Sequence, residues 1–166
     1  MAMPRPSVRI LVCGSADRGD DGAALSAVAH LLPRLDSAVR QRLEVRRCDQ
    51  LDATDVIDVA DGEACVVLDT VVGVEPGAVV ELPLGDLAGL ASVAPRSSHA
   101  LPIQEVLGIA EAVRGGLPPG RFVGIGGKWF GYGTTRSRAV RDGMPEFERR
   151  AAGVIARLAG VASAVG

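Results

Sequence analysis

Residues 8–22 constrain the fold of this chain more than any other stretch, because an apolar segment there runs directly into a glycine-framed acidic loop. Residues 10–13 are short and apolar, as expected of a strand that is covered on both faces. The glycines that follow allow the backbone to turn sharply. Asp20 and Asp21 therefore lie at the C-terminal end of a predicted strand, where α/β folds keep their ligand sites.

Strand and helix patterns alternate along the rest of the chain. Further strands are predicted at residues 43–48, 64–69, 78–82 and 122–126, and helices at residues 23–35 and 54–60, after Pro102 and at the C-terminus. The inward faces predicted for the three longer helices are Leu25, Val28, Ala29, Leu32 and Leu35, then Ile103, Val106, Leu107, Ala110 and Val113, then Phe147, Ala151, Val154, Ile155 and Leu158. Residues 83–98 are predicted to form a loop.

This order predicts one α/β domain of three layers over residues 1–166. A mostly parallel, twisted sheet of five strands has helices on both faces. The turn signal at residues 75–77 leaves no room for a helix before residues 78–82, so this strand is the predicted antiparallel edge.

Composition narrows the classes of partner. Hydrophobic residues make up 48% of the 166 residues and charged residues 23%, which is typical of a folded domain with its own core. The net charge of −2, with no cluster of basic residues, predicts neither nucleic acid nor an anionic membrane as a partner. No segment reaches the roughly 20 apolar residues of a membrane span, so we expect a cytoplasmic protein. Cys13, Cys48 and Cys65 form no Cys-x-x-Cys pair and are predicted to be reduced core residues.

Asp69 ends the third predicted strand, and Asp21 follows the first. If those strands are neighbours, as right-handed crossovers favour, the two carboxylates share one cleft. At about 4 Å and an effective dielectric near 20 their repulsion is roughly 4 kcal/mol, which favours a shared proton or a bound cation. His99 lies just ahead of a predicted helix and would complete a mixed oxygen and nitrogen ligand set for nickel or zinc.

Other interpretations compete with a metal site. Aspartates at strand ends often cap the next helix, and a single histidine in a loop is usually solvated. A dinucleotide turn does not fit, because Ala16 stands where the second glycine is needed and the two aspartates would repel pyrophosphate. The glycine-rich segment 126–133 holds the only Trp and the only Tyr, which either line a substrate groove on a mobile loop or pack over the end of the sheet.

Four segments together resemble the hydrogenase maturation proteases: residues 14–22, residues 66–69, residues 75–77 and residues 97–101, which contain Ser-Ser-His-Ala-Leu. The resemblance covers nearly the whole chain. It implies an endopeptidase that removes the C-terminal peptide of the large subunit of a nickel-iron hydrogenase after nickel insertion. The family's metal-binding positions fall on Asp21, Asp69 and His99. We expect Asp21 and Asp69 to be the catalytic residues, with peptide hydrolysis carried out by a carboxylate or by a metal-polarised water.

The resemblance also implies where the metal comes from and which protein is the partner. Nickel is expected to be presented by the immature large subunit rather than held as a permanent cofactor, and zinc or cadmium can take the same ligands. We expect a monomer. The alternative is an assembly factor that binds the immature subunit or its metal without cutting it, a reading supported by Ser15 and by Lys128 and Trp129. Asp20 is predicted to be structural, supporting the loop or capping the first helix.

Overall fold

A computed structural model describes residues 7–89 and 102–160. Its sheet has five strands, β1 Val8–Cys13, β2 Leu43–Cys48, β3 Ala64–Val71, β4 Val79–Pro83 and β5 Gly120–Gly126, in the order β2-β1-β3-β5-β4. Strands β2, β1, β3 and β5 are parallel, and β4 runs antiparallel to β5 at one edge. The predicted sheet, including its antiparallel edge strand, is confirmed.

Helices cover both faces of this sheet. They are α1 Ala23–Leu31, α2 Ser37–Arg40, α3 Ala53–Ile57, α4 Ile103–Arg114 and α5 Arg138–Leu158. Helices α1 and α5 bury their apolar residues in one core cluster, while α3 and α4 contribute to the cluster on the opposite face. Short 3₁₀ turns form at Gly19–Gly22, Leu32–Arg34 and Leu84–Gly89. None of the helices in residues 7–89 and 102–160 combines the length and apolarity needed to span a bilayer.

Strand β1 is buried along its whole length because it lies between β2 and β3 and under helices on both sides. Its residues alternate between the two clusters: Ile10 and Val12 pack on the α1 side, and Leu11 and Cys13 on the α3 and α4 side. This alternation is the period of two expected of a strand. The loop that follows β1 therefore starts from a fixed position at the centre of the sheet.

Two predicted helix faces are wrong in detail. The buried residues of α1 are Ala23, Ala24, Ala27, Val28 and Leu31, whereas Ala29, predicted to point inward, is exposed. The alanines let α1 approach the sheet closely, and larger residues such as Leu25 pack around the margin of the cluster. In α4, Val113 is 65% exposed. Residues 84–89, predicted as loop, form a 3₁₀ turn, and α2 was not predicted.

Candidate active site

The candidate site lies where β1 and β3 end side by side. Thr70 in β3 donates a hydrogen bond from Oγ1 to the carbonyl of Asp20, in the turn after β1, at 2.9 Å. Asp69 precedes Thr70 and Asp21 follows Asp20, so each aspartate is the chain neighbour of a residue in this hydrogen bond. The structure thus places Asp21 and Asp69 at the same end of two paired strands, as predicted.

Asp69 is held within β3, opposite Gly124 of β5. Val67 and Val71, which share its face of the strand, belong to the cluster under α3 and α4. Burial raises the pKa of the Asp69 carboxyl to about 7, although the amide of Thr70 donates to its Oδ1 at 2.8 Å and acts in the opposite direction. A carboxyl with this pKa can gain or lose a proton near neutral pH, and a cation nearby would favour its ionised form.

Asp21 lies in the 3₁₀ turn that leads into α1. Its amide donates to the carbonyl of Arg18 at 3.0 Å. The turn folds back onto Gly14, which has a φ of +133°. A Cβ atom at Gly14 would lie 2.0 Å from the carbonyl oxygen of Asp21 and 3.0 Å from its Oδ1. Glycine at position 14 is therefore what allows Asp21 to lie against the end of β1.

Asp20, in contrast, is fully buried and anchors a distant loop. Its Oδ2 accepts hydrogen bonds from the amides of Lys128 and Trp129 at 2.8 and 2.9 Å and from Ser137 Oγ at 2.8 Å. Its Oδ1 accepts from the amide of Ser137 at 2.7 Å. Burial by itself would raise the pKa of Asp20, but these hydrogen bonds hold it below its usual value. Asp20 is structural, as predicted, but the loop that it anchors is a distant one, and it does not cap α1, whose N-cap is Gly22.

The loop that Asp20 anchors comprises residues 126–137, called the aromatic loop below. Its backbone pairs with the acidic turn through Gly19 N to Gly133 O at 2.9 Å, Asp20 N to Trp129 O at 2.8 Å and Gly133 N to Asp17 O at 2.8 Å. The loop backbone therefore packs on the acidic turn that follows β1, and a substrate groove lined by its rings stays a prediction. Its aromatic side chains nevertheless remain open to solvent, with Trp129 45% and Tyr132 77% exposed.

The three cysteines form no disulfide with one another and are reduced, as predicted. Cys13 and Cys65 are buried and Cys48 is partly buried, with its Sγ 3.4 Å from that of Cys13. Burial raises the pKa of the Cys65 thiol to about 12. The raised pKa leaves little thiolate at Cys65 near neutral pH and argues against a nucleophilic role for this residue.

A cavity of about 270 Å³ opens on the other side of β1, at the ends of β1 and β2. It is lined by Gly14, Ser15, Ala16, Leu25, Arg47, Cys48 and Asp49. No local sequence pattern predicts this cavity, because its lining comes from the turn after β1, from α1 and from the end of β2. Gly14 is shared between the cavity and the contact with Asp21.

His99 lies outside the described residues. Helix α4 begins at Ile103, four residues after His99, and Ile103 packs into the same cluster as Val67 and Val71. Within residues 7–89 and 102–160, no three histidine, cysteine or acidic residues come together as a metal site. The described part of the chain therefore holds two of the three predicted ligands.

Comparison with solved structures gives strong matches of fold. The NiFe hydrogenase maturation protease HybD from Thermococcus kodakarensis matches with a TM-score of 0.64 and 24% identity, over 89% of this chain and 98% of that one. The hydrogenase maturating endopeptidase HybD from E. coli matches with a TM-score of 0.67 and 17% identity, over 86% of this chain and 88% of that one. The maturation protease HycI from Thermococcus kodakarensis KOD1 has a TM-score of 0.64 and 18% identity, over 90% and 92% of the two chains.

The chain has the fold of the hydrogenase maturation proteases. No protein-family model matches it, and no curated protein matches it by sequence. The resemblance found in the sequence motifs therefore reappears in the three-dimensional fold at identities of 24% and below for these three structures.

Proposed function

We propose that this chain is an endopeptidase that removes the C-terminal peptide of the large subunit of a nickel-iron hydrogenase after nickel insertion. The observation that carries this proposal is the placement of Asp21 and Asp69 on the C-terminal side of the paired strands β1 and β3, in a fold shared with named maturation proteases over most of the chain. Proteins that share a fold can differ in function, so the proposed activity depends on these two aspartates rather than on the fold.

Asp21, Asp69 and His99 are the residues proposed to recognise nickel in the immature substrate. Two carboxylates and an imidazole suit a borderline divalent ion, and zinc or cadmium would be accepted by the same donors. The environment of Asp69 supports this assignment, because its carboxyl has a pKa raised to about 7 by burial and gains from a nearby positive charge. A site with three protein ligands leaves coordination positions to the groups that already hold nickel in the substrate.

Peptide hydrolysis also needs an acceptor for the proton of the attacking water and a donor for the leaving amine. We assign this proton transfer to the carboxylates of Asp21 and Asp69. Asp69 suits it as a carboxylate that can accept the proton of the attacking water, and a nearby cation favours this ionised form. Asp21 is proposed to orient the cleavage region against the turn after β1, where contact with Gly14 fixes its position.

The test is the mass of a nickel-loaded immature large subunit after incubation with the protein. We expect the subunit to lose its C-terminal peptide, and we expect Asp21→Ala, Asp69→Ala and His99→Ala to stop this loss. Asp142→Ala is the matched control, because the Asp142 side chain is 73% exposed on α5. An intact subunit with the native protein, or undiminished cutting after Asp21→Ala, would contradict the proposal. Stable binding without any cutting would identify an assembly factor instead.

A further inference from the structure

Three side chains at the rim of the site form an exposed surface rich in aromatic groups. The Arg18 guanidinium lies 4.1 Å from the centre of the Tyr132 ring, and Arg18 Nη2 donates to the Tyr132 hydroxyl at 3.1 Å. Trp129 lies on the same loop as Tyr132, and both are large apolar side chains left in solvent. We call Arg18, Trp129 and Tyr132 the aromatic surface.

The backbone beneath this surface is held in place by hydrogen bonds and by packing against the acidic turn. The buried carboxylate of Asp20 accepts the amides of Lys128 and Trp129, so the backbone at the tryptophan is fixed. The indole covers Gly19, where a Cβ atom would lie 2.4 Å from its Cε3. Ordering these side chains on binding therefore costs little conformational entropy, which favours their use as interface anchors.

The residue types point to a protein partner. Tyr, Trp and Arg are the residues most enriched at the energetic centres of protein interfaces. The exposed charged side chains around this surface are the positive Arg18 and Lys128 and the negative Asp17, which interacts with Arg18, so the surface has one net positive charge although the whole chain has a net charge of −2. Arg136, in contrast, turns inward and donates to the carbonyl of Gly19 at 2.7 Å. A partner that fits presents apolar groups together with carboxylates.

The surface also adjoins the candidate active site. The backbone amide of Asp21 donates a hydrogen bond to the carbonyl of Arg18. Arg18, whose guanidinium lies over the Tyr132 ring, is therefore in the same turn as the proposed nickel ligand. A protein seated on the aromatic surface would therefore bring its neighbouring segment to the ends of β1 and β3.

We propose that the aromatic surface of Arg18, Trp129 and Tyr132 is the docking site for the immature large subunit and binds a carboxylate-bearing, apolar patch of it, whether or not nickel is loaded. This inference rests on the proposed function, which names the partner. It assigns affinity for the substrate body to the aromatic surface and leaves the recognition of nickel to Asp21, Asp69 and His99.

The test uses the fact that Trp129 is the only tryptophan of the chain. Fluorinated tryptophan incorporated in the protein gives a single fluorine NMR resonance, which is followed while unlabelled, nickel-free immature subunit is added. Nickel-free subunit is chosen because the proposed function predicts that it is not cut, whereas the docking proposal predicts that it still binds. We expect the resonance to shift or broaden, and Tyr132→Ala to weaken binding about tenfold. Val113→Ala is the control, as Val113 is 65% exposed on α4, away from this loop.

An unchanged resonance overturns the docking proposal, and so does equal affinity of the Tyr132→Ala and Val113→Ala proteins. A shift that appears on raising the concentration of the protein alone also overturns it, since the surface would then pair two copies of this chain. Tyr132→Ala is expected to keep the native free energy of unfolding, because its side chain is 77% exposed. Cutting of nickel-loaded subunit by a protein whose resonance never moves would leave the proposed function standing and remove only the docking site.

Discussion

Replacing Asp69 with asparagine is expected to stabilise the protein at neutral and alkaline pH while abolishing its proposed activity. The carboxyl of Asp69 has a pKa of about 7 against an ordinary value of 3.8, mainly because of burial. The folded protein therefore binds this proton more tightly than the unfolded chain does. Stability from this group is present at low pH and is lost as the pH rises through about 7. Asparagine keeps an oxygen for the amide of Thr70 and carries no charge.

The magnitude follows from the two pKa values. Each pH unit between them is worth about 1.4 kcal/mol, so ionised Asp69 costs the fold about 4 kcal/mol once the pH is well above 7. Between about pH 5 and about pH 8 the loss specific to Asp69 is about 3 kcal/mol. The free energy of unfolding of the native protein, measured in urea, should fall by this amount relative to Asp69→Asn.

Asp142→Asn serves as the control, because it makes the same change of residue type at a side chain that is 73% exposed. The reasoning is refuted if the native and Asp69→Asn proteins show the same pH dependence of unfolding. It is equally refuted if Asp69→Asn is the less stable protein at about pH 8. Either result would mean that β3 does not hold the Asp69 carboxyl in a poorly solvated environment.

Three further predictions concern the turn after β1 and the core. Asp20→Asn should lower the free energy of unfolding by about 3 kcal/mol in urea and speed hydrogen exchange at the Lys128 amide, and unchanged exchange there would contradict its anchoring role. Gly14→Ala should destabilise the protein by about 2 kcal/mol more than Gly62→Ala, since both have positive φ but only Gly14 lacks room for a Cβ; equal losses in urea would show that no clash occurs. Native Cys65 should resist iodoacetamide at about pH 8 in a mass-spectrometric assay, because its thiol pKa is about 12, and rapid alkylation would show that it is accessible.

The sheet could be predicted because its signals are local. Short apolar runs ending in glycine or aspartate mark β1 and β3, and the absence of room for a helix before residues 78–82 marks the antiparallel edge. Right-handed crossovers favour the adjacency of β1 and β3, and that adjacency puts Asp21 and Asp69 at the same end of the sheet. The shared fold with maturation proteases likewise agrees with motifs read from the sequence.

What the sequence left undetermined depends on contacts between distant segments. Asp20 and Asp21 are identical in type and adjacent, and only the amides of Lys128, Trp129 and Ser137, more than a hundred positions away, distinguish the anchoring residue from the candidate ligand. The inward face of α1 is built mainly from alanines rather than from the predicted leucines, because alanines allow the closest packing on the sheet. The roles of Asp21, Asp69 and His99 in nickel recognition stay predictions.

We propose that the protein cuts only a large subunit that already carries nickel. The most direct measurement compares the C-terminal mass of the immature large subunit after incubation with this protein in nickel-loaded and nickel-free forms. The account predicts that the nickel-loaded subunit loses its C-terminal peptide and that the nickel-free subunit keeps it. Equal cutting of both forms, or cutting of neither, would contradict it.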